Sequence, residues 1–218
     1  MPQSSTCIET MRVKIKSHLQ IIYGESEGRL LISFKKRNRA KQHYEQHFYD
    51  WPEEADRATQ YAAEQANNGT DVYTGAHLFR TEPGTKENAL PLTTLWADID
   101  HDELPVDAPR PTLIVASSPG RWQAHWKLDE PIDPGEGELL NKRLTHMIKA
   151  DPSGSDLTQV LRPPGTRNYK YPKTPIVEVV EHDPTRIYDA AQLDKLLPPL
   201  PTIASHQPTQ ITPPSVMS

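Results

Sequence analysis

A single cysteine, Cys7, stands in a chain of 218 residues, which excludes a disulfide framework and a cysteine-built zinc site. No apolar run is long enough to cross a bilayer, and the opening Met-Pro-Gln-Ser-Ser-Thr lacks the charged and apolar stretches of a secretory signal. A basic excess is missing too. The formal charge is −5, so a uniformly basic surface cannot be what holds this protein to a nucleic acid, although a local basic patch stays open. These absences lead to the expectation of a soluble, cytoplasmic protein with no membrane partner. Its 35% hydrophobic content can bury one sizeable core. Proline, in contrast, is abundant: 22 residues, about twice the usual ~5%.

The charge is unevenly spread. Residues 1–50 carry nine basic and five acidic side chains, whereas 51–100 carry three and nine. Five cations fall between Lys35 and Lys41, just after the apolar run Leu30-Leu31-Ile32-Ser33-Phe34, and either face phosphates or form a solvated loop. Nothing after Lys195 is charged, and residues 198–218 hold six prolines among Ser, Thr and Gln, the composition of an extended linker or tail. The folded part is therefore expected over 1–197, with a linker over 198–218 that leads into a longer protein.

Apolar or alternating runs predict strands at 11–16, 19–23, 29–35, 71–78, 92–100, 112–117, 121–128 and 176–181. Helices are expected from Pro52 to Asn67, N-capped near Asp50 or Trp51, and over about 135–150 after Asp133-Pro134. Strands and helices interleave irregularly, which predicts an α+β fold.

Three segments carry candidate chemistry. Leu95-Trp96-Ala97-Asp98-Ile99-Asp100 is an apolar strand ending in two carboxylates on one face. Their mutual repulsion makes a hard divalent cation such as Mg²⁺ or Mn²⁺ the natural neutraliser; a hydrated strand end is the plain alternative. Ala116 to Leu128 reads as strand, tight turn, strand. Its small residues 117–120 would let a backbone approach phosphate, and Arg121, Gln123, His125 and Lys127 share one face of its second strand opposite Trp122, Ala124, Trp126 and Leu128. The apolar face is expected in the core, and the polar face is either solvated or shaped for an anion. Asp151-Pro152-Ser153-Gly154-Ser155-Asp156 leads to Arg162-Pro163-Pro164-Gly165-Thr166-Arg167-Asn168-Tyr169-Lys170, a stiff turn expected to cluster Arg162, Arg167 and Lys170, either for a polyphosphate or as solvated charges.

In this order, Asp-x-Asp, then Ser-Pro-Gly-x-aromatic, then Asp followed by Arg-x-Pro-Gly-Thr-x-Asn, the segments resemble the primase-polymerase domain of phage and plasmid replication proteins, in the archaeo-eukaryotic primase superfamily. The resemblance spans about residues 70–182 and is most specific over Val160–Asn168; Asp71-Val72-Tyr73-Thr74-Gly75 resembles the strand that opens the family's core. It implies an RRM-like catalytic sheet with flanking helices, an N-terminal αβ part over about 1–70 and a motif-bearing core over about 71–197. It further implies Asp98, Asp100 and Asp156 as acidic ligands of two Mg²⁺ or Mn²⁺ ions in nucleotidyl transfer, with Ser118, the backbone near Gly120, Arg162 and Lys170 on the triphosphate. A family histidine is replaced by Gln123, so that either Gln123 or His125, two residues on, is expected to contact nucleotide. The implied activity is a DNA primase and DNA polymerase acting in replication, with a single-stranded DNA template, NTPs or dNTPs as substrates and a helicase domain downstream. In a phage its place would be the host cytoplasm.

Other functions use some of the same residue types. A rolling-circle initiator or relaxase would need a tyrosine nucleophile, Tyr169 or Tyr171, and a His-x-His metal pair, where this chain has Gln-Ala-His. A non-catalytic single-strand or origin-binding module would not need three aspartates. A nuclease clusters carboxylates but does not call for the cationic loop between Arg162 and Lys170.

Overall fold

The computed structural model describes residues 5–35, 44–101 and 103–201. The basic run from Lys36 to Lys41 and the tail over 202–218 lie outside the described residues.

Where two strands were expected at 11–16 and 19–23, the chain forms one helix, α1 (Ser5–Tyr23). Met11, Val13 and Ile15 alternate like a strand, but the period that folds is Met11, Ile15, Leu19 and Ile22: these four are buried, whereas Val13 is half exposed. A hairpin follows, β1 (Gly28–Lys35) against β2 (Tyr44–Trp51), a strand the sequence reading did not anticipate. Next comes α2 (Ala55–Asn67), whose Glu54 N-cap makes no side-chain capping bond; the expected cap, Asp50, instead donates its backbone N–H to Glu54 Oε2 at 2.9 Å. The alanine face of α2, Ala55, Ala58, Ala62 and Ala66, lets it lie close to α1, and together they cover Leu30, Ile32 and Phe34 of β1.

The strand β3 (Asp71–Gly75) returns beside β1, and the two-residue β7 (Val160–Leu161) pairs with β3, so that the first sheet has the order β2-β1-β3-β7. The second sheet is built from β4 (Leu92–Ile99), β5 (Leu113–Ser118), β6 (Arg121–Ile132) and β8 (Glu178–His182) in the order β4-β6-β5-β8, all antiparallel, with β9 (Ile187–Tyr188) parallel to β6. Its apolar face, Leu95, Ala97, Ile99, Ala124, Trp126 and Leu128, packs as expected on α3 (Pro134–Ile148) and α4 (Ala190–Leu196). Asp133 N-caps α3 by accepting from Gly135 N and Glu136 N, with Pro134 in the first turn. The fold is α+β.

The first helix joins the two sheets. The Ile22 carbonyl at its C-terminal end accepts bonds from Thr93 Oγ1 (2.7 Å), Thr94 Oγ1 (2.8 Å) and Lys127 Nζ (3.0 Å), donors on β4 and β6 that satisfy an otherwise orphan helix carbonyl. Among the described residues, no helix is long and apolar enough to cross a membrane.

Candidate active site

Asp98 lies near the end of β4 with Gln123 of β6 as its cross-strand partner, on the face that also carries Trp96 and His125. It is partly buried, and no donor among the described residues bonds its carboxylate. Burial pushes this carboxyl up, and Asp151 pushes it further; Arg121, Lys170 and Arg162 pull it down. Asp100, one residue beyond the strand and exposed, forms an ion pair with Arg121, the first residue of β6. Strand alternation thus presents both carboxylates and Arg121 at one end of one face.

The structure ties Asp151 to Asp98 through the main chain. The Asp151 N–H donates to the Asp98 carbonyl at 3.0 Å, and its carboxylate accepts from Ser153 N and Oγ at 2.9 and 2.8 Å. Asp156 is held by Thr158, whose N–H and hydroxyl both reach it at 2.7 Å. Burial raises the Asp156 carboxyl, but the Thr158 hydroxyl and N–H, with Lys86 and Lys142, outweigh it and leave it lowered. The two acids start and finish one short segment whose 3₁₀ turn, Pro152–Gly154, meets β4: the Gly154 carbonyl accepts from Trp96 Nε1 at 2.9 Å, and a Cβ at Gly154 would lie 3.4 Å from Asp98 Cβ.

The expected phosphate contacts separate. Arg162 is buried, paired to Asp71 at the start of β3, bonded to the Tyr73 hydroxyl at 2.6 Å and stacked over the Tyr73 ring at 4.4 Å. A guanidinium removed from water needs such partners, so it ties the loop to the first sheet and is not open to a triphosphate. Arg167 turns elsewhere, its Nη1 donating to the Thr174 carbonyl at 3.2 Å. Lys170 alone of the three is exposed and acts on Asp98. Asn168 fixes it in place: its amide donates to the Ser117 carbonyl at 3.0 Å, and its oxygen accepts the Lys170 N–H at 3.1 Å. Gly165 has φ +91° and lies 3.3 Å from Lys14 Cβ by its own would-be Cβ, a conformation and closeness that suit glycine.

On β6, neither expected nucleotide contact is accessible. The Gln123 amide, oriented to match its neighbours, donates to the Arg162 carbonyl and accepts the Arg162 N–H, each at 3.0 Å. His125 is 1% exposed, its two ring nitrogens find no partner among the described residues, and it meets His18 of α1 edge to face at 5.4 Å. Burial holds its pKa down to about 3, so the ring is neutral at ordinary pH. The polar face of β6 is thus neither solvated nor wholly a ligand surface: α1 covers it beyond Arg121. Ser118 faces Arg121 across the turn, but its hydroxyl is buried and unpartnered among the described residues; Gly120, at φ +69°, makes the turn.

Asp151, Asp71 and Asn168 are residues to which sequence reasoning gave no role, and Arg121 was expected only as one of four on the polar face of β6. All four stood inside or beside the motifs, but nothing in their spacing told which side chains would converge. As to a metal, the described residues hold no group of three His, Cys, Asp or Glu side chains placed to bind an ion. Asp98 still fits one: it is a half-buried carboxylate without donors, beside a second carboxylate, and Mg²⁺ typically takes one or two protein carboxylates and completes its shell with water and substrate phosphate.

The model of the RepB DNA-primase N-terminal domain family matches residues 75–195. The chain belongs to that family. No curated protein matches it. Among solved structures, this RepB-type primase domain is similar to the archaeo-eukaryotic primase domain of the cyanophage S-2L primase-polymerase, at 14% identity and a TM-score of 0.70, over 86% of this chain and 98% of that one. It is also similar to the catalytic domain of the primase RepB′ in complex with initiator DNA, at 17% identity and a TM-score of 0.60, over 87% and 93%. A second RepB′ structure matches at 19% identity and 0.63, over 85% of this chain and 62% of that chain. The fold is therefore that of archaeo-eukaryotic primase catalytic domains, and the family match begins at the last residue of β3.

Proposed function

We propose that this domain is a DNA-dependent primase and polymerase, a nucleotidyltransferase that makes and extends primers on single-stranded DNA from NTPs or dNTPs. The observation that carries this reading is the half-buried, donor-free Asp98 beside Asp100, with the cations Arg121 and Lys170 next to them.

Asp98 and Asp100 would hold the divalent cation, Mg²⁺ or Mn²⁺. When bound, two such ions would lower the pKa of an attacking 3′-hydroxyl and neutralise the departing pyrophosphate. Asp151, whose charge acts on Asp98, would serve as the third carboxylate, in the role first expected of Asp156. Arg121 and Lys170 would share the charge of the triphosphate, and the Ser118–Gly120 turn would border it. Arg162, Gln123 and Asn168 position these groups from behind. For a helicase partner the sequence resemblance is the ground. The relaxase alternative gains nothing from the geometry, since the Tyr169 hydroxyl donates to the Ala66 carbonyl at 3.2 Å at the end of α2.

The test is primer synthesis on single-stranded DNA with ribo- and deoxyribonucleotide pools and Mg²⁺ or Mn²⁺. Wild type should incorporate nucleotide and Asp98→Asn should not; incorporation by a folded Asp98→Asn protein would refute the reading.

A further inference from the structure

Cross-strand pairing places Lys35, Tyr44 and Asp71 on one face of the first sheet, together with Ser33, Gln46 and Tyr73. This is the face opposite Leu30, Ile32 and Phe34, which α1 and α2 cover. Along β2 it is open, at Tyr44 and Gln46, whereas Ser33 and Asp71 beneath are buried. Tyr44 is 42% exposed, its ring 5.9 Å from that of Tyr73 and inclined by 64°, with Lys35 Nζ 5.7 Å from its centroid. Arg162 lies over the far side of the row, on Tyr73. Lys35, Tyr44, Tyr73 and Arg162 therefore form a line of cationic and aromatic groups, and the acids on this face are already paired, Asp71 to Arg162 and Asp50, at the far end, to Arg29.

We infer that this face is a platform for single-stranded DNA, on which Tyr44 stacks a base and Lys35 meets the backbone phosphate. Two observations choose the occupant. One is charge: between Lys35 and Lys41 the sequence carries five cations and no acid, in the segment that joins β1 to Tyr44. The other is continuity: Arg162, over Tyr73 at the end of the row, is held through its main chain by Gln123, the cross-strand partner of Asp98, so a strand lying here runs on towards the candidate carboxylates. Aromatic rings with nearby cations bind single strands with little sequence preference, since every base has a π-face. The inference rests on the nucleic-acid reading above, and its test lets the two fail separately.

The probe is a fluorescein-labelled oligo(dT), titrated with the full chain and followed by fluorescence anisotropy. Tyr44→Ala should weaken binding roughly tenfold without changing the slope of log K against log salt. Lys35→Ala should reduce that slope by roughly 0.7. Tyr44→Trp should keep affinity, and its added indole fluorescence should be quenched by the oligonucleotide. Binding by a folded Tyr44→Ala protein within twofold of wild type overturns the platform, as does an indole signal in the Tyr44→Trp variant that stays unquenched at saturation. If wild type incorporates no nucleotide while Tyr44→Ala still loses affinity, the platform stands and the catalytic reading falls.

Discussion

Gln123 clasps the main chain of Arg162 with both ends of its amide, each bond 3.0 Å long. The side chain that sequence placed on the nucleotide instead locks the second sheet to the loop carrying Lys170. Replacing it with leucine keeps the volume and strands a buried N–H and C=O, which should cost on the order of 3 kcal/mol of stability. Turnover should fall with it, because Arg162 and Lys170 lose their anchor. Urea unfolding beside steady-state incorporation checks this: the effect should appear in stability and kcat, and a change confined to nucleotide KM would show that Gln123 touches substrate after all.

The buried imidazoles make stability depend on acid. His125 titrates at about 3 in the folded chain against about 6.5 unfolded, and burial also holds His18 well below its usual value, with His125 adding to it. A depressed histidine pKa means that the unfolded chain binds more protons below 6.5, so stability is lost as pH falls from about 6.5 towards 3. From pH 7.5 to 5.5 His125 should cost about 1.4 kcal/mol, and His18 adds to the loss in the same direction. Urea midpoints at the two pH values should show this loss, and His125→Phe should reduce it by the share of one imidazole. An unchanged slope in that variant would mean that His125 is charged or solvated in the fold.

How much of this was legible differs by element. The bounds of β4, the start of β6 and the cap Asp133 were readable, because alternation and capping are local rules that tertiary packing did not overturn here. The first helix was misread since Met11, Val13 and Ile15 satisfy a period of two over a short window, and only the contact with the alanine face of α2 decides for the longer period. The strand Tyr44–Trp51 was invisible because its one face is solvated and mixed. At the site, residue types could be listed from sequence, but not which cation would be buried: Arg162 became structural because Asp71, ninety-one residues away, reaches it.

Asp98→Asn separates stability from activity. Its carboxylate is raised by burial and by Asp151, so the ionised form costs folding energy above the ordinary carboxylate range. The asparagine variant should therefore melt a few degrees higher while losing incorporation, the trade expected where a strained charge serves function. Adding Mn²⁺ should raise the melting point of wild type and leave that of Asp98→Asn unmoved, by mass action on the folded form. A lower melting point without metal would show that Asp98 is stabilising and so not poised for a cation.

Asp151 and Asp156 can be told apart by the same substitution. Asparagine keeps an oxygen that accepts from Ser153 or from Thr158, so each local turn survives and only a charge is removed. Asp151 adds to the negative field on Asp98, whereas Asp156 faces Lys86 and Lys142. If the third carboxylate of nucleotidyl transfer is Asp151, then Asp151→Asn should lower incorporation by a hundredfold or more, on the order of 3 kcal/mol of transition-state stabilisation. It should also weaken the Mn²⁺-induced rise in melting temperature. Asp156→Asn should keep both within a few-fold and change stability by less than about 1 kcal/mol, because its ionic neighbours sit near the surface. The reverse pattern, activity lost at Asp156 and kept at Asp151, would return the role to the residue the sequence motif first pointed to.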